Sequence, residues 1–273
     1  MPKSHRGGQA STVTPPAPPV QQDDDNTPNG PRPTPNQLWQ EAQKNGTIDM
    51  AEHGYTIADL QSMNDDDMHD MILAISKQEL PDYLMPNQMQ KFTYALNMNN
   101  KPLVEDDATF TKNSKGSEII YNAQSSASLK GFTLTADDIH DFIKYGDETL
   151  MQNGVYGNGL YFSNSRRGSA SYGTRQSRAR LNPATAKVIT GSQLKAEYDA
   201  WIKSRPRTRR ALGAMKANNT GYGTNTYSQF AALKGYNVIK NQVGSGEYYY
   251  TILDRGALIY SAGTKNSTGS NTW

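Results

Sequence analysis

From Lys101 onward the apolar and β-branched residues come in short runs separated by Gly, Asn and Ser, and this texture most constrains the fold. "SEIIYNAQ", "GLYFS", "NVIKN", "EYYYTILD" and "ALIYSA" read as strands, and "SRARLNPATAKVIT" as two strands or a strand and turn around Asn182-Pro183. Between them lie helical patterns. "ADDIHDFIKYG" has Thr135 as a candidate N-cap, "GSQLKAEYDAWIKS" is amphipathic, and "TYSQFAALKGY" is closed by Gly235. Strands mixed with helices in this order, joined by short turns, predict an α+β domain with a mainly antiparallel sheet.

The chain upstream has a different texture. Residues 1–36 hold nine of the fourteen prolines, no aromatic residue and an acidic run at Asp23 to Asp25. They bury too little apolar surface to offset ordering entropy, so a disordered arm is expected there. Residues 37–105 read as a helical lobe, through "NQLWQEAQKNG", "TIADLQSMNDDDMHDMILAISK" and "PNQMQKFTYALNMN", with the methionines as core filler. The expected organisation is therefore arm 1–36, helical lobe 37–105, main domain 106–262 and a frayed tail 263–273.

The chain has no cysteine, which excludes disulfides, a thiolate nucleophile and cysteine metal sites. His5, His53, His69 and His140 lack ligand spacing, and Asp65 to Asp67 lack the glycine and glutamate of a calcium loop. No metal is expected. No apolar run approaches the length of a membrane span, and the start lacks the apolar stretch of a signal peptide, so a cytoplasmic protein is expected. Net charge is +2, yet Leu160 to Lys216 carries thirteen Lys and Arg against Glu197 and Asp199. That half suits an anionic visitor.

The segment "YGNGLYFSNSRRGSASYG", Tyr156 to Gly173, combines glycines, rings and hydroxyls. Read as strand, turn and helix start, it has Gly157 and Gly159 turning the backbone sharply and leaving room for a flat ligand. Tyr161 then lines a cleft, with Ser169 and Tyr172 on one helical face beyond it. Two rings and a hydroxyl suit a planar aromatic amide. On composition alone, an ordinary turn with tyrosines at half-buried edges is the first reading.

The register of the segment reverses that preference. "GNGLYFSNSRRGSASY" resembles the poly(ADP-ribose) polymerase and diphtheria-toxin-like ADP-ribosyltransferases, which read Gly-x-Gly-Ile-Tyr-Phe and then, at the same gap, Ser-Ala-x-Tyr. The stretches "LPDYLMPNQMQKFTYALNMNNKPLVEDDATF", "ARLNPATAKVI" and "KGYNVI…YYYTILDRGALI" are similar to ADP-ribosyltransferase-like proteins of phages and bacterial mobile elements. The likeness spans roughly residues 79–261.

This resemblance implies a split antiparallel sheet core and NAD as substrate. It implies that Tyr161 and Tyr172 sandwich the nicotinamide, that Ser169 bonds its carboxamide, and that Gly159 and Phe162 belong to the same wall. Asn122 and Ala123 stand where the family has His or Arg followed by Gly, so the ribose contact is kept only in part. Glu247 matches the glutamate that opens a late strand and stabilises the oxocarbenium-like sugar. Ser245 stands at the acceptor-guiding position, two residues ahead of it.

The function implied is mono-ADP-ribosylation of a protein acceptor, with nicotinamide released, by a phage-encoded enzyme in the bacterial cytoplasm or carried in a virion. Departure at Asn122 keeps a second reading open, an inactive scaffold that contacts virion proteins. A third is nucleic-acid binding through the basic stretch 203–216, where Arg205, Arg207, Arg209 and Arg210 could neutralise phosphates. Pro206 predicts a loop there rather than a helix. No membrane partner is expected.

Overall fold

The computed structural model describes residues 31–46, 48, 50, 52–77, 100–124, 126–129, 132–135, 152–154, 157–172, 175–217, 226–265 and 271–272. Most of the arm, the helix expected at "PNQMQKFTYALNMN" and all of "ADDIHDFIKYG" lie outside these residues.

Three helices open the described chain: α1 (Pro35–Asn45), α2 (Ile57–Ser62) and α3 (Asp65–Lys77). Local chemistry explains their ends. Thr34 and Gln37 form a capping box around Pro35, and Gly46 closes α1 at φ 79°. Helix α1 therefore begins inside the segment read as arm, and Arg32 ahead of it already bonds Asp59 through both Nη atoms at 3.0 Å. The continuous periodicity of residues 56–77 splits into two helices because Met63 is extended and Asn64 Oδ1 accepts from Asp67 N at 2.9 Å, starting a new helix.

The sheet runs in the order β1-β11-β7-β2-β6-β10-β9-β8, with β5 pairing the start of β6. Its strands are β1 (Leu103–Glu105), β2 (Ile120–Gln124), β5 (Gln152–Gly154), β6 (Gly157–Ser163), β7 (Arg175–Leu181), β8 (Val188–Thr190), β9 (Val238–Gln242), β10 (Tyr248–Ile252) and β11 (Leu258–Ser261). Pairing is antiparallel except at the two ends, where β1 runs parallel to β11 and β8 parallel to β9. The protein is α+β, as expected. A separate hairpin joins β3 (Ser126–Leu129) to β4 (Phe132–Thr135). The tail expected to fray instead pairs β12 (Thr264–Lys265) with β13 (Asn271–Thr272).

Five more helices complete the described fold: α4 (Asp107–Asn113), α5 (Arg166–Ala170), α6 (Gly191–Lys203), α7 (Pro206–Ala217) and α8 (Thr226–Leu233). Helix α7 corrects the expected loop. Pro206 is its first residue, a position where proline costs no hydrogen bond and its fixed φ suits the helix.

Two apolar cores flank the sheet. One joins the N-terminal helices, through Leu38, Leu60, Met68 and Ile72, to Leu212, Phe230 and the sheet residues Ile189 and Ile239. Burial of each such side chain contributes roughly 1.5–3 kcal/mol, so the lobe is welded to the sheet and not hung beside it. Met50, Met63, Met68 and Met71 are buried there as the core filler expected of them. The other core gathers Ile120, Leu160, Phe162, Tyr250, Leu258 and Tyr260. Among the described residues no helix is long and apolar enough to cross a membrane.

Candidate functional site

Strand alternation sorts the residues of β6. Leu160 and Phe162 turn into the core at 1% and 2% exposure, while Tyr161 and Ser163 turn to the opposite face. Phe162 is thus parted from Tyr161. Antiparallel pairing sets Thr251 across from Tyr161 and Tyr249 across from Ser163, which brings Tyr249 onto the Tyr161 face.

Gly159 makes no sharp turn. It sits within β6, paired with Gln152, and carries no left-handed φ. Its requirement is closeness: a Cβ there would lie 2.7 Å from Thr251 Cγ2 and 2.8 Å from the Ile252 carbonyl oxygen.

Strands β2 and β6 share a single residue pair, Tyr121 with Ser163, whereas β2 and β7 share five. Asn122 fills the junction. Its side chain is buried at 4% exposure and its Nδ2 donates to the Tyr161 carbonyl oxygen at 2.6 Å, where the ladder would otherwise supply a backbone donor. Ala123 is buried beside it, facing Gln176 across the β2–β7 ladder.

Helix α5 lies over β2, β6 and β7. Ser165 caps it by accepting from Gly168 N at 2.9 Å. Ser169 is buried at 3% exposure; its hydroxyl donates to the Arg166 carbonyl at 3.0 Å and accepts from Gln176 Nε2 at 2.8 Å. Tyr172 falls beyond the helix end and is 63% exposed, so it does not share the buried face of Ser169. Its ring stands edge-on to Tyr249, with centroids 6.3 Å apart and planes at 75°. Tyr249 links the Tyr161 face to Tyr172.

Glu247 sits between a glycine turn and β10. Gly246 takes φ 75°, and Val243 N donates to the Glu247 carbonyl at 3.0 Å to close the hairpin. The carboxylate packs on α5, where a Cβ at Gly168 would overlap Glu247 Oε1 and stand 3.2 Å from Ser163 Oγ. Among the described residues it makes no hydrogen bond and no ion pair. Ser245 is exposed in the preceding turn.

The structure thus gathers Tyr161, Ser169 and Glu247 around α5 and β6, sets Tyr172 at the rim, and leaves Phe162 in the core. Tyr249, Gln176 and Ser163 carry no motif signal. The sequence signal that could have found Tyr249 is its alternation with Tyr250 in "YYYT", once β10 is paired.

The basic stretch is differently employed. Arg205 Nη1 donates to the Met63 carbonyl at 2.8 Å with its guanidinium 5.4 Å from the Trp201 ring centroid, and Arg207 Nη1 meets Asp66 at 2.9 Å. Arg209 and Arg210 are exposed. Elsewhere in the cationic half, Arg178 pairs with Asp107 and Arg180 with Glu105 around Phe110.

No family model, no curated protein and no solved structure matches the chain.

Proposed function

We propose that this protein transfers ADP-ribose from NAD to a protein acceptor and releases nicotinamide, with the split antiparallel sheet of the ADP-ribosyltransferases opening between β2 and β6. The observation that carries the reading is Glu247: a carboxylate without a partner among the described residues, resting on the same short helix that bears Ser169, next to the strand that bears Tyr161. In the reaction the C1′–nitrogen bond breaks and nicotinamide leaves with the electron pair. Positive charge grows on the ribose, and Glu247 stabilises it while an acceptor nucleophile attacks C1′ and gives up its proton. Tyr161 and Tyr249, with Tyr172 at the rim, supply ring faces for the flat amide, and Ser169 retains an acceptor lone pair for the carboxamide.

A second reading, an inactive scaffold acting as a virion or interaction component, is favoured by Asn122. One N–H of its buried amide is committed to the Tyr161 carbonyl, which weakens its case as the donor that would hold the ribose. Nucleic-acid binding loses support, because Arg205 and Arg207 are already held by protein groups.

Incubation with labelled NAD and bacterial lysate separates the first two. The enzyme transfers label and releases nicotinamide, and Glu247→Gln lowers the rate by roughly 10²-fold or more. Silence of the folded wild type in both assays, with no thermal shift at millimolar NAD, overturns the transferase reading in favour of the scaffold.

A further inference from the structure

Asn164 follows β6 directly and reaches across to the chain on both sides of Glu247. Its Nδ2 donates to the Gly246 carbonyl at 3.0 Å, its Oδ1 accepts from Tyr248 N at 2.9 Å, and its own N donates to the Tyr248 carbonyl at 3.1 Å. Gly246 and Tyr248 are the two chain neighbours of Glu247, so three hydrogen bonds from one residue fix the backbone that carries the carboxylate. The asparagine is itself held, because Nδ2 also donates to Glu118 Oε1 at 2.9 Å.

Gly168 makes the complementary contribution. It lies inside α5 with an ordinary helical φ, where glycine costs about 1 kcal/mol relative to alanine. No turn calls for it. What calls for it is the carboxylate, since a Cβ at 168 would overlap Glu247 Oε1 and lie 3.3 Å from its Cδ.

We propose that Asn164 and Gly168 are positioning residues for Glu247: the first pins the backbone on both sides of it, and the second leaves the volume in which its carboxylate rests. The proposal rests on the reading of Glu247 as the transfer carboxylate. Neither residue need touch NAD, and their loss should be felt in turnover more than in substrate binding.

The test compares N164A, G168A, E247D, E247Q and the double variant G168A/E247D in the full chain, by steady-state nicotinamide release and by melting temperature. G168A removes no hydrogen bond and adds a better helix former, so it folds with an unchanged or raised melting temperature. Its kcat falls roughly 10- to 100-fold at near-constant KM for NAD, as a misplacement on the order of 1 Å costs. N164A lowers kcat in the same way and speeds hydrogen exchange at the Tyr248 amide. Shortening the carboxylate relieves the overlap, so G168A/E247D is more active than the product of the two single effects. Wild-type kcat in G168A and N164A, with E247Q inactive, overturns the positioning roles and leaves the transferase reading intact. A folded wild type that releases no nicotinamide overturns that reading, and the positioning roles fall with it.

Discussion

Gly159 passes so close to Ile252 on the neighbouring strand that a methyl group at position 159 would stand 2.8 Å from the Ile252 carbonyl oxygen. Backbone cannot rotate away as a side chain can, and β10 is held on its other edge by five residue pairs with β9. Gly159→Ala is therefore expected to cost about 1–3 kcal/mol, the usual range for overpacking. Urea denaturation reads it directly; an unchanged midpoint would mean that β10 gives way freely.

Asp65 reaches from the first turn of α3 to cap α7, accepting from Thr208 N at 2.8 Å and Arg207 N at 3.0 Å. Asp65→Ala should lower stability by about 1–2 kcal/mol, as the loss of a helix cap does. Asp66→Ala, which removes only the exposed partner of Arg207, should change it by well under about 1 kcal/mol. Equal effects of the two variants would refute the capping role.

Glu118 is pushed upward by partial burial, but hydrogen bonds from Tyr250, Asn164 and Lys240 outweigh that and hold its carboxyl below the ordinary glutamate value. A depressed carboxyl contributes stability that is complete above its unfolded value and is lost as pH falls through the folded one. The denaturation midpoint of the wild type should thus decline below pH of about 4.3 more steeply than that of Glu118→Gln. Burial, and then Glu118, push the Tyr250 hydroxyl far above its ordinary value. Its contribution persists into alkali and is lost only as pH rises past the ordinary tyrosine range. Parallel acid profiles for wild type and Glu118→Gln would show that the cluster contributes nothing.

Tyr249 is the ring that joins Tyr172 to the Tyr161 face. If that face receives the nicotinamide, Tyr249→Leu should weaken NAD binding by up to about tenfold, the loss of one aromatic contact of about 0.5–1.5 kcal/mol. Isothermal titration measures it. An unaltered dissociation constant would place the amide elsewhere.

Much of the local structure is legible in the chain's own patterning. The strands around Tyr121, Tyr161, Ile239, Tyr250 and Ile259 and the helices at Leu194 and Phe230 follow from period-2 and period-3.6 patterns that depend only on chain neighbours. Pro206 misled because proline forbids a helix interior and favours a first turn, and the choice was made by Asp65, a residue 141 positions away along the chain.

Residue order alone set which residue types stand ready for chemistry, namely rings, a hydroxyl, a glycine pair and a late carboxylate, and the α+β class that carries them. Their partners were chosen by the folded arrangement. Strand order β2-β6-β10 turned Asn122 to the Tyr161 carbonyl, made Gly159 a matter of space and not of turning, brought Tyr249 beside Tyr172 and set Glu247 on Gly168. Periodicity is a property of neighbours along the chain, whereas these contacts join residues 39 to 93 positions apart and arise only when strands pair.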